Sequence, residues 1–500
     1  MTASSVSSPK RTAKSSSKAR KFREVTAFDL FYQLTHMSAM AAAGISRSKT
    51  FELAAQSQSP AAQYFEAINV LVDELRYDYP EACRAVGEKA QSDDVKSFLL
   101  RLSDALRSGE PLATFLAREA EVQADNYSNA YERDLESLKK WSDAFSSIIV
   151  SVALILIINL VSSMIYQLSI GVMAGLVATA VLMGFFGAWV LSRAAPQETM
   201  TVASGEGSKG QRGTAQLFKL TAPLTALVGA GLIAFGVDRQ WVLMAAAAFL
   251  LPVGIRSYMA DQLINRKEKE VSAFLRSIGG MATSTGTTLK AAIAKVDISS
   301  FPVLRTDVER LSTRLQALVS PAICWQRFGA ETGSQLIRES INIFFEAVRL
   351  GGDPERIGYL CSLFASRTAM LRAKRRVVVS TFTWLTLVMH VTVAGLMVFV
   401  LEIIRNFMLL MQSAVSAEDL GRATQSLAMP MASLNPAQMQ FLDTITFTMV
   451  VLLALISALA IVASDGGYKY KLLLHLSVLL FMSGVSFWVV PPVVGRLLTV

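Results

Sequence analysis

The sequence predicts an all-α polytopic membrane protein, with about seven transmembrane helices and two helical-bundle modules arranged as a tandem repeat. Three observations predict it. Hydrophobic residues make up 52% of the 500 residues and charged residues only 17%, with mean hydropathy +0.41, which is too apolar for an ordinary soluble enzyme. Seven apolar runs approach the roughly 20 residues that a helix needs to cross the hydrocarbon core. A charged stretch precedes each cluster of runs, and the two charged stretches share a glycine spacing.

The runs fall at 146–167, 169–192, 218–236, 241–257, 377–401, 441–464 and 472–492. They divide the chain into a basic tail (1–23), a first module (24–145), four spans (146–257), a second module (258–376) and three spans within 377–500, with one sizeable loop at 402–440. The tail holds seven Lys or Arg and no acid. It has too little apolar surface to offset the entropy of ordering, and reads as disordered. The first run lies too far along the chain to be a cleaved signal peptide.

Within the modules the apolar positions recur every three or four residues, as at Phe28, Phe31, Leu34, Met37 and Met40, which is helical spacing. Glycine tolerates the positive φ at which helices close. Gly44 and Gly109 mark the first module and Gly286 and Gly351 the second, in each case 65 residues apart. Arg107 and Arg349 stand two residues before the second glycine of each pair. Ser46 is placed to cap a helix. Glu110-Pro111 and Asp353-Pro354 are placed to open the helices that follow the turns.

Charge orients the chain. With the N-terminus cytoplasmic, nearly all of the 48 Lys and Arg fall inside, and only Arg239, Arg405, Arg422 and Arg496 fall outside. The span-flanking Lys139, Lys140, Arg193, Arg256, Lys374, Arg375, Arg376, Lys469 and Lys471 agree, as the positive-inside rule requires. Both modules are then cytoplasmic. Cys83, Cys324 and Cys361 lack metal or disulfide spacing and suit a reducing compartment.

Catalytic equipment is not evident. There is no GxxxxGK[ST] sequence to cradle nucleotide phosphates, no HExxH and no CxxC. One literal GxGxxG, Gly205 to Gly210, follows a span rather than a strand, with no helical pattern after it; it reads as a flexible basic loop. His36, His390 and His475 are isolated. No metal, cofactor or nucleic acid is expected. His390, amid a span, reads as an interhelical hydrogen bonder.

With the tandem modules, the LRSGEPLATFL and VRLGGDPERIG turns and the spans after each, the chain over about 28–492 resembles the type II secretion F family, the polytopic platform proteins of type IV filament machines. It is most similar to the archaeal branch that assembles archaella and related pili. The Gly-Glu turn stands as Gly109-Glu110 in module one and departs to Gly351-Gly352-Asp353 in module two. The resemblance implies a non-enzymatic platform in the cell membrane. It would anchor a hexameric secretion ATPase and couple it to the movement of pilin-like or archaellin subunits from the bilayer into a filament. A homodimer would suit such a motor.

Candidate motor contacts are Arg107, Glu110, Arg349, Asp353 and Arg356 at the module tips. Lys139 and Lys140 before the first span, and Arg372, Lys374, Arg375 and Arg376 before the fifth, are further candidates. Positive surface steers an acidic partner, although such clusters also set topology and meet membrane lipid. The alternative reading is a secondary transporter or channel-like protein with cytoplasmic regulatory modules.

Overall fold

The computed structural model describes residues 22–165, 170–202, 206–414 and 436–498. Most of the basic tail, Gly205 and the bulk of the 402–440 loop lie outside these residues. Among the described residues the fold is all-α, and its single β-bridge joins Thr201 to Ser334. The chain divides into two compact units, one ending at Gln123 and one from Ala124 onward, with Ala42–Gly44 grouped with the second.

The first unit contains α1 (Ala27–Ala42), α2 (Arg47–Gln56), α3 (Ala62–Asp73), α4 (Tyr79–Glu88) and α5 (Asp93–Ser108), with the start of α6 (Leu112–Ile165). Ser46 caps α2 by accepting a hydrogen bond from the Lys49 N–H. Gly109, at φ 78°, closes α5 and donates to the Ala105 carbonyl. The apolar stripe repeats at the helical period and buries Leu34, Met37, Phe51, Phe65, Phe98 and Leu102 in one core. Arg101 clamps α5 to α6 through both oxygens of Glu119, at 2.9 and 2.7 Å. That bond holds the guanidinium above its ordinary pKa.

Cys83 lies in the same core, fully shielded. Burial pushes its thiol up to about 12, against a smaller opposing effect of Arg47. The thiolate is the reactive species, and Cys324 and Cys361 are buried as well. A maleimide is therefore expected to leave all three thiols unmodified near neutral pH and to label all three after denaturation, as read by intact mass. Rapid labelling of Cys83 in the native protein would show that this core opens.

The second unit holds the rest of α6, α7 (Ile170–Ala194), α8 (Lys209–Ala234), α9 (Arg239–Thr285), α10 (Leu289–Lys295), α11 (Arg305–Gln316), α12 (Pro321–Thr332), α13 (Gln335–Arg349), α14 (Pro354–Ala414), α15 (Pro436–Asp465) and α16 (Leu472–Leu498). Seven of these helices are long and apolar enough to cross a membrane, the number expected from composition. The helices that are not candidate spans pack Trp325, Phe328 and Phe344 against Phe274 of α9, edge to face and tilted, with centroids 5.7 to 6.1 Å apart, the arrangement that ring quadrupoles favour. Between the spans, His390 Nε2 meets Ser483 Oγ at 2.9 Å, an interhelical bond of the kind expected.

The helices α6, α9 and α14 run without interruption through 145/146, 257/258 and 376/377, where charged module gives way to apolar run or the reverse. Charge composition changes there, but nothing in the residues ends a helix, and the peptide hydrogen bonds continue. The Gly205–Gly210 segment is not followed by loop. Ser208 and Gln211 form a reciprocal capping box and start α8 at Lys209. Hydropathy missed this turn because its residues are polar.

Close helix approach is set by glycine. A Cβ on Gly279 would sit 2.4 Å from the Pro354 carbonyl oxygen, and one on Gly358 2.7 Å from that of Leu275, so α9 and α14 cross backbone to backbone. In the spans, a Cβ on Gly254 would lie 2.5 Å from Leu474 Cα of α16. The residue pattern there is the small-residue packing of membrane helices.

Candidate functional site

The four turn glycines all have positive φ: Gly44 75°, Gly109 78°, Gly286 58° and Gly351 97°. Each pair encloses four α-helices, α2 to α5 and α10 to α13, and a helix of more than 50 residues follows each second glycine. Gly352, by contrast, keeps an ordinary backbone and is buried. It donates to the Ala347 carbonyl at 3.1 Å. A Cβ there would strike Ile357, 2.2 Å away, which is a packing reason for the second glycine in VRLGGDPERIG.

Asp353 caps α14, taking hydrogen bonds from the N–H groups of Glu355 and Arg356, and it also accepts from Thr283 Oγ1 at 2.9 Å. It is committed locally. Glu110 is paired with Arg118 at 3.1 Å. Arg107, Arg349 and Arg356 are exposed, and their side chains make no hydrogen bond or ion pair within the chain among the described residues. Lys139 and Lys140 stand equally exposed and unpaired on α6. Of the candidate residues, these five are the exposed cations without a partner among the described residues.

The cluster before the fifth span is different: two of its four cations face inward, and the other two already have partners within the chain. Arg372 and Arg375 are each 1% exposed. Arg372 lies between Glu198 and Glu268, at 2.5 Å from each. Arg375 donates to the carbonyls of Ser464 (2.8 Å) and Pro196 (3.0 Å). Lys374 pairs with Glu132 of α6. Arg376 is half-buried, donates to the Arg372 carbonyl and stands 3.9 Å from Glu268. Because arginine stays charged, burial is tolerable only with partners of this kind.

Around this node the charges continue. Ser334 Oγ donates to Glu268 at 2.6 Å. Lys267 meets Asp307 at 2.6 Å, both buried. Lys471 lies between Asp261 and Asp465, and Asp261 also accepts from the Tyr468 N–H at 3.0 Å. The segment after α7 is stitched to the α12–α13 turn, Val202 N–H to the Gly333 carbonyl and Gln335 N–H to that of Met200. The node thus ties the short helices α11 to α13, the interspan segment 195–202, the turn 466–471 and the long helices α9 and α14 into one body.

The sequence pointed to the basic half of this node and missed the acidic half: Glu198, Glu268, Asp261 and Asp465. One signal existed. Asp261, Asn265 and Glu268 recur at i, i+4 and i+7, on one face of a helix leaving a span. Glu198 and Asp465 carry no such pattern, since only the tertiary fold brings interspan segments to them. Among the described residues no cluster of ligating side chains could hold a metal ion.

Comparison with known proteins fits the architecture. The family described as type II secretion system (T2SS), protein F matches residues 34–160. The chain is 26% identical over 462 residues to a "Flagella accessory protein J" of Methanocaldococcus jannaschii, covering 88% of this chain and 79% of that protein. It is 23% identical over 459 residues to the protein of the same description from Methanococcus voltae, covering 87% and 79%. No solved structure matches.

Proposed function

We infer that this multi-pass membrane protein, which matches the type II secretion system protein F family at residues 34–160 and is similar over most of its length to flagella accessory protein J, is the non-enzymatic platform on which an archaellum or type IV pilus-like filament is assembled. Its two soluble stretches are copies of one module and face the cytoplasm. A hexameric secretion ATPase bears on them, and the spans move filament subunits.

The observation that carries this reading is the continuity of α9 and α14 from the soluble helices into the spans, locked by the Arg372 node. Force applied at the tips reaches the bilayer through unbroken helices rather than through a flexible linker. Arg349 and Arg356 flank the tip of the second stretch, unpaired among the described residues.

The test uses the full chain in mild detergent with the secretion ATPase of the same cell. Arg349→Glu with Arg356→Glu is expected to weaken capture and to abolish filaments, while chain abundance and thermal stability stay unchanged, because neither side chain loses a partner. Arg375 is unsuitable for such a test: its reversal would bury an unpaired charge and unfold the node. Undiminished capture and normal filaments in the double variant, together with the same result for Lys139→Glu with Lys140→Glu, would remove the motor contact from these surfaces. Absence of ATPase capture by the unmodified chain would remove the coupling itself.

A further inference from the structure

A cavity of about 550 Å³ opens where α9, α14, α15 and α16 meet, within the range of small-molecule sites. Its wall is graded from polar to apolar. Arg266 and Lys269 of α9 and Arg376 of α14 line one end, and Trp384 and Leu387 of α14 with Val478 of α16 line the other. The gradient follows the helices. α9 runs out of its span toward the soluble helices, so Lys269 lies beyond Tyr258. α14 runs the opposite way, so Arg376 precedes Leu387 by eleven residues, about 16 Å at 1.5 Å per residue. The basic end is therefore at the membrane boundary and the apolar end within the span.

The charges in this cavity do not cancel. Asp261 and Asp465 also line it, but both are engaged by Lys471, and Asp261 is held further by the Tyr468 N–H and Asn265 Nδ2. Arg266 and Lys269 are exposed to the cavity and, among the described residues, make no hydrogen bond or ion pair. Two unpaired cations and a third half-buried one thus face the polar end of a cavity whose other end is hydrocarbon-like. An anion with an apolar tail matches both ends. A free phosphate would match only one.

We propose that this cavity holds one anionic phospholipid. Its phosphate sits among Arg266, Lys269 and Arg376, and an acyl chain runs along Trp384, Leu387 and Val478. The lipid fills the space between the two long helices, so it wedges the same helices that the Arg372 node locks.

Native mass spectrometry of the full chain in a neutral detergent tests this, with phosphatidylglycerol, phosphatidylcholine and glycerol phosphate as probes. One phosphatidylglycerol per chain is expected to survive at concentrations where phosphatidylcholine is lost. Arg266→Gln with Lys269→Gln should lower its retention about tenfold or more, each cation near a headgroup contributing substantially. Trp384→Ala should lower retention independently, from the apolar end. Lys139→Gln with Lys140→Gln, outside the cavity, should leave it unchanged. Equal retention of phosphatidylcholine would overturn the charge recognition. An equal loss from Lys139 and Lys140 would overturn the site. Displacement of the lipid by glycerol phosphate, with Trp384→Ala silent, would reassign the cavity to a free phosphate.

Discussion

Replacing Arg372 with Met is expected to destabilise the protein by about 3–5 kcal/mol, the cost of leaving buried carboxylates without their counter-charge. Glu198 and Glu268 are 5% and 1% exposed at the side chain, so water cannot substitute for the guanidinium. The loss should be non-additive. Adding Glu198→Gln and Glu268→Gln to Arg372→Met removes the stranded charges and should restore part of the stability, because residues of one network couple. Thermal unfolding of the detergent-solubilised chain measures both effects. If Arg372→Met unfolds no earlier than the unmodified chain, the node is not a structural lock, and the force path through it loses its support.

Two adjacent glycines of α9 should respond to the same substitution with opposite signs. Gly280 has a helical backbone and open space where an added methyl would stand. Gly280→Ala should stabilise by about 0.5–1 kcal/mol, the ordinary gain of removing glycine from a helix. Gly279 faces the Pro354 carbonyl oxygen, 2.4 Å from where a Cβ would lie. Gly279→Ala should destabilise by about 1–3 kcal/mol, since α9 and α14 must part to admit the methyl. Propensity alone predicts two equal gains, so the sign at Gly279 isolates the crossing. A gain at both positions would mean that the two helices have slack between them.

Much of the architecture was legible in the residues. Seven apolar runs became seven candidate spans, because length and hydropathy suffice where lipid forces every peptide group to pair within its own helix. The turn glycines were legible because positive φ leaves few alternatives to glycine. The helix boundaries were not. A change from apolar to charged residues alters the solvent a helix prefers, and does not end it. The candidate site was half legible: the basic residues beside the fifth span were seen, but whether Arg372 and Arg375 face solvent or carboxylates depends on the distant segments around Glu198 and Ser464, which sequence spacing does not encode. The exposure of Arg349 and Arg356 could be anticipated from the chain because the turn beside them is local.

The unbroken course of α14 also fixes a phase. Each residue advances the helix by about 100°, at 3.6 residues per turn. The interval from Ile357 to Leu371 therefore dictates which way the span face of this helix points relative to its soluble face. A single residue added in that interval would turn Arg372 and the apolar wall beyond it through more than a quarter of a circle, away from Glu268 and from α9. Rotation applied at one end of such a rod is delivered at the other, so the helix can carry torque into the bilayer as well as thrust.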